Sequence, residues 1–191
     1  CIRDRQEGTL TVTNREAKYE ITVKANSATA TYDGKEHEAV GVETYEFTVE
    51  GNSYTVSGLS TEDPKQKDAG SYTNNITGTP VVTDKEGNVV TSEFEVKTEN
   101  GSLEIGKAAV TLKSATLSKK YDGNALVNGD TALEVESGFA EGEGATYNFT
   151  GSQTVVGSSA NAFSYELNSN TNIDNYAISK QEGTLTVTNR E

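Results

Sequence analysis

Hydrophobic and polar side chains alternate along most of the chain. Alternation with a period of two places the apolar residues on one face of a β-strand. No stretch shows apolar residues at the three- and four-residue spacing of an amphipathic helix, so we predict an all-β fold. The alternating stretches are Tyr19–Val23, Tyr45–Val49, Phe94–Val96, Tyr147–Phe149, Phe163–Leu167 and Leu185–Val187.

Turn signals separate these stretches. Asp33-Gly34 and Asp122-Gly123 predict hairpin-type turns, because Asp and Gly adopt positive φ at little cost. The segment 85–88 joins two Val-rich runs and predicts another hairpin. The segment 60–70 contains a proline and has no apolar face, so we expect a loop or a single helical turn there.

A long repeat is the strongest feature of the sequence. Residues 6–16 and 181–191 both read QEGTLTVTNRE, at an offset of 181 − 6 = 175. Chance does not give an identity of this length, so the sequence predicts a repeat unit of 175 residues. The sequence also contains no Met, and we expect it to be an internal piece of a longer polypeptide. Residues 1–16 would then be the tail strand of a preceding repeat.

A weaker symmetry lies within this unit. The segment ATATYDGK (28–35) is similar to LSKKYDGN (117–124), and Tyr32 and Tyr121 are 121 − 32 = 89 positions apart. Each segment comes after an alternating strand, and each half ends in Gly-x-Leu-x-(Ile/Val). We therefore predict two diverged modules, 17–106 and 107–191.

The predicted boundary between the modules coincides with a change of strand face. Leu103 and Ile105 occupy odd positions, whereas Val110 and Leu112 occupy even ones. A change of parity moves the buried face to the other side of the strand. This pattern favours two elongated β-sandwich-like modules joined end to end. β-Grasp-like modules with one short helix each are the alternative, with 60–70 as the helix candidate.

The paired Tyr-Asp-Gly segments carry a resemblance to a known group. Together with GFAEG (138–142), GSQTVVG (151–157), NYAI (175–178) and the final GTLTVT, they resemble the YDG/MBG-type tandem-repeat domains of large bacterial cell-surface proteins. The resemblance implies an all-β module, an extracellular location at the bacterial cell wall and a stalk or adhesin role. It supplies no catalytic residues. The motif positions are Tyr32, Asp33, Gly34, Tyr121, Asp122 and Gly123.

Composition narrows the function classes further. The net charge is −13, and no basic cluster exceeds a Lys pair, so we expect no nucleic-acid partner. No run of about 20 apolar residues is present, so we expect no membrane insertion in this segment. One Cys allows no internal disulfide, and one His removes most His-based catalysis and most zinc sites. We predict that the chain is not an enzyme and takes no cofactor.

The sequence leaves two functions open. The first is a structural stalk or spacer that projects a distal binding domain, with neighbouring repeats of the same chain as partners. The alternative is an adhesive module that binds a host glycan or surface protein, for which exposed tyrosines would be the candidate contacts. Two chemical features also stay open: calcium at acidic loops, and an isopeptide bond from Lys24 or Lys113 to Asn175.

Overall fold

The computed structural model describes residues 17–190, and its regular structure is almost entirely β. The predicted all-β class is confirmed. The described residues contain no α-helix, only two single-turn 3-10 helices, Thr91–Glu93 and Ile173–Asn175. The predicted tail strand at 1–16 lies outside the described residues.

The first half of the chain, residues 17–106, forms ten strands in small sheets. The sheet orders are β1-β9, β2-β10-β7, β3-β6 and β4-β5-β8. The strands are β1 (Tyr19–Lys24), β2 (Ala28–Thr31), β3 (His37–Glu38), β4 (Glu46–Val49), β5 (Asn52–Thr61), β6 (Lys65–Gln66), β7 (Gly70–Asn74), β8 (Ile76–Asp84), β9 (Phe94–Glu99) and β10 (Gly101–Gly106).

The second half, residues 107–190, also forms ten strands. The sheet orders are β14-β11-β19, β12-β20-β17, β13-β16 and β15-β18. The strands are β11 (Ala108–Lys113), β12 (Leu117–Lys120), β13 (Leu126–Val127), β14 (Val135–Ser137), β15 (Ala145–Phe149), β16 (Ser152–Gln153), β17 (Gly157–Ala160), β18 (Phe163–Leu167), β19 (Tyr176–Gln181) and β20 (Thr184–Thr188).

One pairing pattern occurs in both halves. In the first half, β1 pairs in parallel with β9, and β2 pairs in parallel with β10. In the second half, β11 pairs in parallel with β19, and β12 with β20. The register pair Tyr19↔Phe94 corresponds to Ala108↔Tyr176. The opening strands of each half thus pair with its closing strands, while the end-to-end arrangement of two modules stays a prediction.

By its internal contacts the described chain divides into two compact units. The first comprises residues 17–27, 39–64 and 73–102, and the second comprises 28–38, 65–72 and 103–190. The predicted boundaries 17–106 and 107–191 stay predictions, since three short segments of the first half group with the second unit.

Each unit has a small apolar core. In the first unit, the buried side chains come from β1, β5, β8 and β9: Ile21, Val23, Val56, Val82 and Phe94. In the second unit, the strands that open and close the second half bury their alternating residues, as the period-two pattern predicts. These side chains are Val110, Leu112, Leu185 and Val187.

The structure corrects two predictions made from turn residues. The Asp33-Gly34 and Asp122-Gly123 turns are not hairpins, because the strands before and after each turn pair with different partners. The segment 60–70 contains no helix, because β5 extends to Thr61 and the short strand β6 comes next. The β-grasp alternative therefore loses its helix candidate. The hairpin at 85–88 is confirmed by the antiparallel bridge between Thr83 and Val89.

The parity change between the halves coincides with a change of sheet. β10 belongs to the sheet β2-β10-β7, and β11 belongs to β14-β11-β19. Only Lys107 separates the two strands. Because the chain passes from one sheet to the next after a single residue, the buried side chains change from odd to even positions. This change explains why Leu103 and Leu112 are both fully buried despite their opposite parity.

Candidate functional site

The parallel pairing of opening and closing strands is the first element of the candidate site. β1 and β9 align over six residue pairs, from Tyr19↔Phe94 to Lys24↔Glu99. The start of β1 therefore lies beside the start of β9, and the chain leaves this pair at the opposite end. A line from the start of β1 to the end of β9 therefore runs along the strands, past all six aligned residue pairs.

At each Tyr-Asp-Gly turn, one further backbone hydrogen bond extends a second parallel pair, β2 with β10 in the first half and β12 with β20 in the second. The backbone N–H of Tyr32 donates to the carbonyl of Gly106 at 2.8 Å, one position beyond the β2/β10 pairing. The N–H of Tyr121 donates to the carbonyl of Thr188 at 2.9 Å in the same way. After each tyrosine, the chain turns away from the closing strand with which the opening strand is paired.

The Asp and Gly positions of the two turns also share their local geometry. Oδ1 of Asp33 accepts a hydrogen bond from the backbone N–H of Lys35, and Oδ1 of Asp122 accepts one from the N–H of Asn124, both at 2.9 Å. These contacts lower the pKa of both carboxyl groups, with the side chain of Lys119 as the first cause at Asp122. Gly34 and Gly123 have φ of 78° and 83°, so both turns require the left-handed conformation.

The two tyrosine side chains differ sharply. Tyr32 is 4% exposed, whereas Tyr121 is 42% exposed. The ring of Tyr32 packs edge-on against the ring of Tyr176, with 5.3 Å between centroids. Its hydroxyl donates to Oε1 of Glu143 at 2.6 Å. The equivalent backbone positions therefore present one buried and one exposed aromatic ring.

Tyr32, Tyr176, Glu143 and Lys67 form a cluster of polar contacts in the second unit, with the carboxylate of Glu143 at its centre. Its side chain is 6% exposed, and its two oxygens accept hydrogen bonds from two tyrosines, Oε1 from Tyr32 and Oε2 from Tyr176 at 2.7 Å. The Nζ atom of Lys67 lies 3.9 Å from Oε1. The hydroxyl of Tyr176 also accepts the backbone N–H of Ala140 at 3.0 Å. A carboxylate removed from water is thus compensated by two hydroxyl donors and a nearby cation.

Burial and the Glu143 carboxylate both raise the pKa of the tyrosine hydroxyls in the cluster. Desolvation raises the pKa of Tyr32, and the hydrogen bond to Glu143 raises it further. Burial is also the main cause that raises the pKa of Tyr176. A second tyrosine–carboxylate pair lies on β15 and β14, where the hydroxyl of Tyr147 donates to Oε1 of Glu136 at 2.7 Å. Burial and this contact raise the pKa of Tyr147.

Two of the sequence motifs lie beside the turn that contains Tyr32 and Gly34. The GFAEG segment supplies Ala140, whose Cβ would lie 3.1 Å from a Cβ added at Gly34. The NYAI segment supplies Tyr176 and also Asn175, which is 1% exposed. Nδ2 of Asn175 donates to Oδ1 of Asp68, and its Oδ1 accepts the N–H of Ala69, both at 2.8 Å.

Sequence reasoning missed Glu143, Lys67 and Asp68. Glu143 lies one residue beyond the quoted GFAEG segment, and no spacing rule distinguishes it from the other acidic residues. Lys67 and Asp68 lie in the segment that we expected to be a loop. One signal could have indicated these residues: the Tyr-Asp-Gly turn occurs in both halves of the chain, whereas the GFAEG segment occurs only in the second half.

Buried asparagines give each half a second equivalent feature. Nδ2 of Asn74 donates to the carbonyl of Asn26 at 3.2 Å, and Oδ1 accepts the N–H of Asp63 at 3.0 Å. Nδ2 of Asn161 donates to the carbonyl of Ala115 at 2.9 Å. Both asparagines are fully buried. Asn74 is the last residue of β7, which lies beside the closing strand β10, and Asn161 directly follows β17, which lies beside the closing strand β20. Each amide bonds to the segment after the opening strand.

The other candidate groups do not assemble into a reactive site. Nζ of Lys24 lies 3.0 Å from Glu99, and Nζ of Lys113 lies 3.0 Å from Glu134. Asn175, the predicted isopeptide partner, instead makes hydrogen bonds to Asp68 and Ala69. His37 belongs to the short strand β3, and its Nε2 atom lies 2.9 Å from Oδ1 of Asp33.

Metal binding and membrane crossing find no support in the described part of the chain. Residues 17–190 contain no group of three His, Cys, Asp or Glu side chains placed to hold a metal ion. In the same range, no helix has the length and apolarity needed to cross a membrane.

Comparisons with protein-family models, with curated proteins and with solved structures find no match for this chain.

Proposed function

We propose that this chain is a structural stalk or spacer repeat of a bacterial cell-surface adhesin, which holds a distal binding domain away from the cell wall. The observation that carries the proposal is the parallel pairing of opening and closing strands in both halves. A segment that transmits tension along its chain benefits from this pairing, because unfolding requires several hydrogen bonds to break together. Resistance of this kind is a property of the unfolding rate.

The repeat supports the same function. Eleven identical residues recur at a spacing of 175, as expected of an array in which one unit is copied many times. Arrays of copied units serve reach, since each unit adds length without adding a new activity. The bacterial surface location rests on the resemblance to YDG/MBG-type repeats, and antibodies against the chain are expected to label intact cells of the source bacterium.

Force measurements on one strand pair test the mechanical proposal directly. Cysteine handles at Lys18 and Thr98 pull β1 and β9 lengthwise past each other, because they lie at opposite ends of the pair. Handles at Lys18 and Glu93 pull from the same end and peel the strands apart. Both variants carry Cys1→Ser, so that only the intended thiols react.

We expect the lengthwise geometry to require clearly higher force than the peeling geometry at the same loading rate. Equal forces in the two geometries would contradict a load-bearing role for the strand pair. Binding of a host glycan or host surface protein by the isolated chain would favour the adhesive alternative instead.

A further inference from the structure

Tyr121 is exposed although its backbone geometry matches that of the buried Tyr32. Both N–H groups donate to the carbonyl one position beyond the parallel pairing, and both residues precede an Asp-Gly turn with positive φ at Gly. The difference lies in the groups that cover the ring. The ring of Tyr32 packs against Tyr176 and its hydroxyl bonds to Glu143, and both partners belong to the half of the chain after it.

The half that would come after Tyr121 is defined by the repeat. Residues 181–191 are identical to 6–16, and residue 17 comes directly after 6–16. In an array with a period of 175, the residue after 191 is therefore the counterpart of Ala17, and the next strand is a copy of β1. Tyr121 has the same relation to that copy as Tyr32 has to the second half of the present chain.

We infer that the Tyr121 turn is a docking surface for the following copy of this repeat, and that its ring becomes buried there as Tyr32 is buried in the second unit. This inference rests on the proposed function, because it requires an array. The occupant is the end of the following copy at which β1 and β9 begin. By strand register, Phe94 at that end takes the position that Tyr176 takes beside Tyr32.

The chemistry of that end suits an aromatic ring with a hydroxyl group. Phe94 packs against Tyr54 and Tyr19, with ring centroids 4.8 and 5.6 Å away. The hydroxyl of Tyr19 donates to Oε2 of Glu50 at 2.7 Å, so a tyrosine–carboxylate contact lies beside the aromatic cluster. The combination of aromatic edge and carboxylate is the one that holds Tyr32.

Nitration of tyrosine by tetranitromethane tests the inference. The test protein contains residues 1–191 followed directly by a second copy of 17–191, with Tyr121→Phe in the second copy only. The first-copy Tyr121 is then the only tyrosine at this position, and peptide mass spectrometry follows its nitration. The reference is the single 191-residue chain, and protection of Tyr32 reports in each sample that the protein is folded.

A spacer variant separates docking from other effects of added chain. A Pro-rich spacer of about 20 residues between the copies extends at about 3.1 Å per residue and holds them apart. We expect Tyr121 to react about tenfold more slowly in the direct fusion than in the single chain, because the reagent then reaches the ring only through transient opening. In the spacer variant the rate should return to that of the single chain.

The outcomes distinguish this inference from the proposed function. Nitration of Tyr121 at the single-chain rate in the direct fusion would overturn the docking inference, and so would equal protection in the spacer variant. Neither result touches the comparison of lengthwise and peeling forces. Loss of that force difference would instead overturn the mechanical function, whatever the nitration rates are.

Discussion

The hydroxyl of Tyr32 lies 2.6 Å from Oε1 of Glu143, although 111 positions separate the two residues. This contact joins the turn after β2 to the loop before β15 within the second unit. It removes a hydroxyl and a carboxylate from water together, which is favourable only when each satisfies the other. The turn is therefore held by its side chain as well as by its backbone.

Replacing this hydroxyl is the most direct test of the cluster. Tyr32→Phe should lower the free energy of unfolding by about 1–3 kcal/mol, because the buried carboxylate loses one of its hydroxyl donors. Tyr121→Phe is the matched control and should change it by less than about 0.5 kcal/mol, because the ring is exposed. Urea unfolding followed by circular dichroism measures both values. Equal effects of the two substitutions would contradict the structural role assigned to Glu143.

The buried asparagines predict a second loss of stability. Asn74→Ala should cost about 1–3 kcal/mol, because the fully buried amide bonds to the N–H of Asp63 and to the carbonyl of Asn26, and both groups lose this partner. The exposed Asn52, at the start of β5, provides the control, and Asn52→Ala should have an effect below about 0.5 kcal/mol. Thermal and urea unfolding of the two variants provide the comparison. An Asn74 variant as stable as the control would show that ordered water replaces the amide.

The fold class and the buried positions could be predicted from the sequence, but the strand partners could not. Alternation at Val23 and Leu112 indicates which face is buried, and both side chains are fully buried. Alternation carries no information on which strand lies alongside, so the parallel pairing of β1 with β9 had no local signal. The hairpin prediction at Asp33-Gly34 was wrong for the same reason. Turn residues specify positive φ at Gly34, and they do not specify where the next strand goes.

The candidate site was predictable only in part. The matched positions of Tyr32 and Tyr121 are visible as an offset of 89, and their equivalent backbone hydrogen bonds agree with it. The burial of one ring and the exposure of the other depend on Glu143 and Tyr176, which are distant in sequence. Acidic residues are so frequent in this chain that composition does not single out the one that is buried.

Two glycines predict a steric effect: Gly101 is the first residue of the closing strand β10, and Gly183 directly precedes the closing strand β20. A Cβ at Gly101 would lie 2.2 Å from the carbonyl oxygen of Asn26, and a Cβ at Gly183 would lie 2.3 Å from that of Ala115. Backbone atoms must move to relieve such overlaps, so Gly101→Ala and Gly183→Ala should each cost at least about 2 kcal/mol.

The matched control for these glycines is Gly87, at which an added Cβ meets no atom within 4 Å. Gly87→Ala carries only the backbone penalty of its positive φ, about 1 kcal/mol. Urea midpoints of the three variants measure the order. A Gly183 variant no less stable than the Gly87 variant would mean that β12 and β20 pair less closely than the structure indicates.

The tyrosine–carboxylate pairs predict a loss of stability at high pH. Burial and the neighbouring carboxylates raise the pKa of Tyr32 and Tyr147 in the folded chain. An unfolded tyrosine loses its proton near pH 10, so above that pH the folded state holds more protons than the unfolded state. The free energy of unfolding is therefore fully retained below about pH 10 and falls as the pH rises towards the folded pKa values. The double variant with Tyr32→Phe and Tyr147→Phe should be less stable at neutral pH and should lose less stability between about pH 10 and 11.5. Urea midpoints measured across this range give the two slopes, and parallel slopes for the variant and the unaltered chain would exclude these hydroxyls as the cause.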